Sequence, residues 1–583
     1  MSHPDPLCYT PPGDSLPKAD KALPLKNDMR ASELDRPKLL AKLIRYFHTS
    51  DYVGGIALAV AIGLVAGFGG VALTLLIRQL RSWFFDGGAN VFWFLGDYYV
   101  VLIPALGGLL VGPIVHFVSP ETRGHGVPEV IQAIQTAGGR MRARVAGVKV
   151  LASAITIGSG GSAGREGPIV QVGATIGSVL GQGLQLPAQR LATLAACGAA
   201  GGISAAFNAP VGGALFAMEV ILGDWSADAF GLVVIASVAA SVVSRVYLGA
   251  APAFAVPTYE FNASHWWELS LYLLLGVFAG VAAKLYIWLL YSAEDAFDTM
   301  KCLPRWLTPA LGGLLVGILA LVVPQALGTG YEEVSDALQG NIAWQLALLF
   351  VAAKLIATAF TLGSGGSGGV FAPGFYIGAM LGCAFGKLAN LLLPGMVSPP
   401  GAYALVGMGS VFGAAAHAPL TNVIMLFEMS GDYSMILPMM VGVVVSTLVL
   451  RSFSFESIYT LKLSRRGIHL GVKKANPMQL LTVAETMSAD TPTLSPVTSV
   501  EEAAQHFLST SFTAFPLVDG TGDLVGIITH GDVEKPVLAG NTQLPIGLLG
   551  TAKVITCFPD ENLELVLSRD RKSTRLNSSH RIR

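Results

Sequence analysis

Charge is what this sequence has least of. Its 583 residues include 37 Lys and Arg against 38 Asp and Glu, 13% of the chain, while 52% are hydrophobic. A set of soluble domains of that length needs far more polar surface, so a water-soluble multidomain enzyme is excluded. The formal net charge of −1 offers no basic field to a nucleic-acid partner. Cysteine is scarce as well. Cys8, Cys197, Cys302, Cys383 and Cys557 stand apart without CxxC or Cys/His spacing, which excludes a zinc site or a disulfide framework and leaves them as small apolar residues. The polar N-terminus carries no signal-peptide pattern.

What is present is long apolar runs rich in glycine. "GGIALAVAIGLVAGFGGVALTLLI", Gly54 to Ile77, has no charged residue and exceeds the roughly 20 residues that cross a bilayer. "WQLALLFVAAKLIATAFTL" and "ILPMMVGVVVSTLVL" are further candidate spans. Abundant glycine suits close helix packing and broken helices whose ends line a polar cavity. The expectation is an all-α polytopic membrane protein. Basic residues in "RPKLLAKLIRY" before the first span and "LKLSRRG" after the last place both termini in the cytoplasm by the positive-inside rule. Residues 1–50 then form a cytoplasmic segment and 51–466 the membrane domain.

That domain is duplicated. "PALGGLLVG" occurs twice, at Pro104 to Gly112 and Pro309 to Gly317. Nearly the same offset carries "GHGVPEVIQAI" onto "GTGYEEVSDAL" and "KVLASAITIGSGGSAGREGP" onto "KLIATAFTLGSGGSGGVFAP". A slightly larger one sets "NAPVGGALFAMEV" on "HAPLTNVIMLFEM", with Glu219 opposite Glu428. The repeats run about 54–250 and 269–463. Duplication is how many transporters place a site near the bilayer midplane between two halves. These residues leave open whether the halves run parallel or inverted.

"GSGGSAGREGP" puts Glu166 in this apolar setting. A charge there costs about 2.5 to 3.5 kcal/mol on insertion scales, which marks it as functional. Each "GSGGS" precedes a new helical run, so backbone amides at helix N-termini can face a common cavity. Such ends carry roughly half a positive charge and free N–H donors, and therefore bind anions. Partial charges also release what they bind, as conduction requires.

In these motifs the sequence resembles the CLC family of chloride channels and chloride/proton antiporters. "GREGP" stands at Gly164 to Pro168, "GVFAP" at Gly369 to Pro373 and "GHGVP" at Gly124 to Pro128. The resemblance implies an inverted repeat of about 18 helices, assembled as a homodimer with one pore per subunit. It makes Glu166 the gate: ionised, its carboxylate occupies an anion position; protonated, it swings aside for chloride. Gly124, His125, Gly126, Arg165, Gly167, Val370, Phe371 and Tyr459 fall on the anion-binding motifs. Two departures stand out. His125 replaces a hydroxyl-donating serine, and Val220 occupies the place where antiporters carry an internal proton-relay glutamate. Neighbouring Glu219 is the remaining candidate relay, or a structural carboxylate. The expected function is gated chloride transport, by chloride/proton antiport or, alternatively, through a passive voltage- or pH-gated channel. The compact chain resembles prokaryotic plasma-membrane members, and "GREGP" lacks the changes expected of a fluoride exporter. No enzyme is expected: a serine-protease reading of Ser162 with His125 or His417 has no spacing to support it and leaves the second "GSGGS" unexplained.

Past a linker at 467–483, residues 484–568 resemble a CBS region. "AFPLVDGTGDLVGIITHGDV" reads as paired strands around a turn at Asp519 to Asp523. The resemblance makes Thr529 and Asp532 possible contacts for an adenine nucleotide; no cofactor is required. A second motif only begins, in "VITCFPDENLELVLS". Residues 569–583 resemble a translated sequencing adaptor, and no role is read into them.

Overall fold

Glycine spacing decides how the apolar helices pack. The computed structural model describes residues 51–249, 263–300, 303–468, 481–488, 491–552 and 554–563, with a few single positions beside them. The N-terminal segment, most of the linker, the tail from residue 570 on, Cys8 and Cys302 lie outside the described residues. The chain divides into two units, one ending at His469 and one beginning at Leu470.

In the first unit, α1 (Asp51–Ser82) runs on through a π turn and a short helix to Val91. It is followed by α2 (Tyr99–Pro113), α3 (Val127–Ala137), α4 (Arg144–Gly158) and α5 (Glu166–Gly183). Then come α6 (Ala188–Phe207), α7 (Pro210–Phe216) and α8 (Ala227–Leu248). The second repeat supplies α9 (Leu269–Thr299), α10 (Thr308–Val322), α11 (Tyr331–Leu338) and α12 (Trp344–Gly363). It continues with α13 (Phe371–Leu392), α14 (Pro400–Ala416), α15 (Pro419–Ser430) and α16 (Ile436–Phe453), and α17 (Thr460–Arg465) follows. Among the described residues, eight helices are long and apolar enough to cross a membrane.

The halves meet with reciprocal contacts, which reveal their relation. A Cβ added to Gly108 would lie 2.1 Å from the Pro309 carbonyl oxygen, and one on Gly313 would lie 2.1 Å from that of Pro104. Each contact is therefore the repeat image of the other, the mark of a two-fold axis. Positions rise along α2 as their partners fall along α10, so these equivalent helices run antiparallel. The repeat is thereby inverted, the point that the repeated words alone leave open. Polar bonds obey the same rule. The Ser162 amide donates to Thr361 Oγ1 at 3.0 Å while the Ser367 amide donates to Thr156 Oγ1 at 3.3 Å. Ser162 Oγ pairs with Thr358 at 3.1 Å and Ser153 Oγ with Ser367 at 2.9 Å. Ser162 thus bonds to threonines of the other half and to neither histidine named above.

The second unit builds its own core around a two-stranded antiparallel sheet, β1 (Ala514–Val518) and β2 (Leu524–Thr529). Helices α18 (Val483–Thr486), α19 (Val500–Ser509) and α20 (His530–Leu538) complete it. Val500, Phe507, Phe515, Leu517, Ile528 and Val533 form the buried cluster. The turn joins Asp519 to Asp523, whose carbonyl accepts the Asp519 amide at 3.0 Å. The opening of the second motif pairs back onto α18, through Val483 to Glu561 and Ala484 to Pro559.

Candidate functional site

Three loops are sewn together where the repeats meet. Gly124 and Ser367 form a parallel bridge, and Gly164 and Gly369 an antiparallel one. The Gly164 amide donates to the Gly369 carbonyl at 2.8 Å and the Gly369 amide returns the bond at 2.6 Å. A residue paired with its own repeat image lies at the two-fold axis. The loops also need glycine for clearance: a Cβ on Gly167 would stand 2.2 Å from the His125 carbonyl oxygen, and one on Gly369 would stand 2.7 Å from the Gly167 amide nitrogen. The first loop turns through positive φ at Gly124 (74°) and Gly126 (84°), a region open to glycine at little cost.

Each loop ends at a helix start. Gly126 precedes α3, Arg165 precedes α5 and Val370 precedes α13, while Tyr459, on a separate segment, precedes α17. Glu166, Phe371 and Tyr459 are fully buried, and His125 is 3% exposed. The Glu166 carboxylate points at the start of α13. A Cβ on Gly164 would lie 2.2 Å from Glu166 Oε2 and 3.0 Å from the Ala372 amide nitrogen, so carboxylate and helix end share one small space. Glu166 Oε2, His125 Nδ1 and Tyr459 Oη are buried without a hydrogen-bond partner. The Val370 carbonyl is tied back by the Tyr286 hydroxyl at 3.1 Å. Phe371 is wedged against Phe412, with ring centroids 4.0 Å apart.

The remaining candidates have structural ties. Arg165 spends its guanidinium on the Thr74 hydroxyl and the Ala206 carbonyl, both at 3.1 Å, with Nε 3.9 Å from Glu166 Oε1. His125 Nε2 lies 3.4 Å from the Tyr291 hydroxyl, which donates to the Ile458 carbonyl at 2.6 Å. Since that hydroxyl proton is committed, the contact with His125 requires Nε2 to be the donor. Beside this loop, Glu129 holds Lys462 at 3.4 Å and Arg466 at 3.0 Å. Buried Lys149 donates to the carbonyls of Thr122 and Gly124 at 3.0 and 2.7 Å. Its repeat image, Lys354, does the same to Ala326 and Gly328 at 3.2 and 2.8 Å.

Glu219 reaches across the repeat. Its carboxylate accepts the Thr421 amide at 2.8 Å, the Thr421 hydroxyl at 2.6 Å and the Leu420 amide at 3.4 Å, at the start of α15. Glu428 returns the arrangement on Val211 and Gly212 at the start of α7, at 3.0 and 2.6 Å. In the second unit, Thr529 and Asp532 bond to each other as the capping box of α20, hydroxyl to carboxylate at 2.6 Å.

One residue escaped the sequence reading. Tyr331, first residue of α11, donates its hydroxyl to Glu166 Oε1. It also lines a cavity of about 590 Å³ with Arg78, Arg81, Arg165, Glu332 and Glu333. Its only signal was that "GTGYEEV" is the repeat image of "GHGVPEV".

Known proteins share this fold. The family profile described as voltage gated chloride channel matches residues 107–451, and a CBS domain profile matches 483–537. A ClcB-like chloride channel protein of Ralstonia nicotianae is 35% identical, over 70% of this chain and 96% of its own. The H(+)/Cl(-) exchange transporter ClcA of Vibrio parahaemolyticus is 32% identical, over 70% and 89%. The crystal structure of a slow cyanobacterial Cl-/H+ antiporter superposes with a TM-score of 0.65 at 25% identity, covering 71% of this chain and 97% of that one. A eukaryotic CLC transporter, at 21% identity and a TM-score of 0.62, shares the fold across 91% of this chain and 93% of its own. The chain therefore belongs to the voltage-gated chloride channel family, the CLC proteins, and carries a CBS region after its membrane unit.

Proposed function

We propose that this protein moves chloride across a membrane through a path between its two repeats, gated by Glu166 and coupled to a counterflow of protons. The observation that carries the reading is the Glu166 carboxylate, fully buried and sharing the space before the α13 amides with an unpartnered oxygen. Helix N-termini hold an anion there by partial charge. Ionised, Glu166 fills that place itself; protonated, it loses the attraction and leaves it to chloride. Val370 and Phe371 amides supply the donors, and the free hydroxyl of Tyr459 closes the other side. His125, with Nε2–H turned to Tyr291, offers the anion a donor at Nδ1 only as imidazolium. Burial, with Lys462 beside it, disfavours that charged form.

Coupling is supported by relatives named as exchangers, ClcA among them, and by the antiporter of similar fold. One observation favours a passive channel instead: Val220 has no protonatable atom, and Glu219 is spent on the start of α15. Liposomes decide between them. A chloride gradient alone is expected to drive protons uphill in the wild type, and Glu166→Gln is expected to abolish both that movement and the pH dependence of chloride flux. Chloride flux with a reversal potential indifferent to the pH gradient would establish the channel; absence of chloride flux at any pH would overturn both.

The same reading makes the protein a homodimer with one path per subunit, in a prokaryotic plasma membrane with both ends cytoplasmic. The resemblance offers Thr529 and Asp532 to an adenine nucleotide. The α20 cap already uses both side chains, so a nucleotide there competes with the helix start.

A further inference from the structure

Among the described residues, Tyr331 is the one side chain whose hydroxyl reaches the Glu166 carboxylate. It does so across 165 positions of chain. Its ring is fixed from two sides. The Arg165 guanidinium lies 5.3 Å over its face, and the Phe254 ring meets it edge-on at 5.3 Å. Arg165 is itself anchored on Thr74 and Ala206, and the loop before Tyr331 is held by Lys354. The hydroxyl therefore has little freedom except to donate to Oε1 or to turn into the cavity beside it.

We infer that Tyr331 is the latch of the gate: its O–H bond to Glu166 holds the ionised carboxylate in the anion site and sets the pH at which the gate is released. This rests on Glu166 being the gate. A hydrogen bond donated to a carboxylate favours its ionised form, and a protonated carboxyl accepts far more weakly. Protonation thus breaks the latch as it discharges the side chain, and one event does both. The tyrosine keeps its own proton throughout.

Other charges face the pair. Arg165 on α5 lies 3.9 Å from Oε1. Arg78 and Arg81 on α1 line the cavity with Glu332 and Glu333 on α11. From α12, Lys354 sits over the Tyr376 ring at 4.7 Å. All of them persist when the Tyr331 hydroxyl alone is removed, so the test isolates the latch.

Chloride flux of reconstituted full-length protein is measured against pH for wild type, Tyr331→Phe, Glu166→Gln and the double variant. Phenylalanine keeps the ring beneath Arg165 and preserves the fold. The expected result is flux retained, with the activating midpoint moved upward by about one to two pH units, the worth of one hydrogen bond to a charged group. In the Glu166→Gln background the same substitution should change nothing. A Tyr331→Phe profile that overlays the wild type overturns the latch while Glu166→Gln still loses pH dependence. A shift that persists in the double variant also overturns it. If Glu166→Gln alone keeps the wild-type profile, the gate reading fails and takes the latch with it.

Discussion

Glu219 accepts three hydrogen bonds at the start of α15, two of them from Thr421, and a carboxylate so placed acts as a helix cap delivered from the other repeat. Caps of this kind contribute about 0.5 to 2 kcal/mol. Glu219→Ala is expected to lower the thermal midpoint of detergent-purified protein accordingly, with the proton-to-chloride ratio of the surviving transport unchanged. A variant of normal stability that moves chloride but no protons would instead return Glu219 to the proton path. Glu428→Ala should behave alike, because it bonds the start of α7 in the same manner. What could be read at this scale depended on local signals. Glu166 is legible because a charge inside a glycine-rich apolar motif has few bland explanations. Tyr331 is not, since its partner is distant in sequence and tyrosine is unremarkable at a helix start. The ties of His125 to Tyr291, and of Arg165 to Ala206, are hidden for the same reason.

At the level of elements, backbone approach fixes the arrangement more than side-chain identity does. Helices α2 and α10 cross with glycines against carbonyls, and α5 meets α6 likewise, where a Cβ on Gly173 would fall 2.0 Å from the Gly198 carbonyl oxygen. The second repeat copies this in α13 and α14, where the corresponding distance from Gly378 to the Gly407 carbonyl oxygen is 2.3 Å. Gly108→Ala or Gly313→Ala must push two backbones apart, a strain of about 1 to 3 kcal/mol or more. Both are expected to reduce the folded fraction on size-exclusion chromatography, whereas Gly147→Ala, with nothing within 4 Å, should elute as wild type. The repeated words announced equivalent helices. Their direction was not readable because several are too short to count as spans, and only the reciprocal contacts of α2 and α10 show them to be antiparallel.

Over the whole molecule, every residue assigned to the anion path belongs to the unit that ends at His469. A chain truncated there is expected to keep chloride flux and its dependence on Glu166 in liposomes; loss of pH gating with flux intact would give residues 470–583 a regulatory part. The small sheet and helices of the second unit were legible because strand, turn and capping box are local patterns. The candidate site was legible only as separate motifs, since it is made by joining them. That joining has a consequence for synthesis. Gly164 pairs with Gly369, and Glu166 faces Ala372, so neither pairing exists while only the first repeat has left the ribosome. Until then the half-made chain holds a carboxylate and several hydroxyls in lipid without their eventual partners, at the cost such groups carry there. Only with the emergence of the second "GSGGS" can the nascent chain form the pairings that join its two halves.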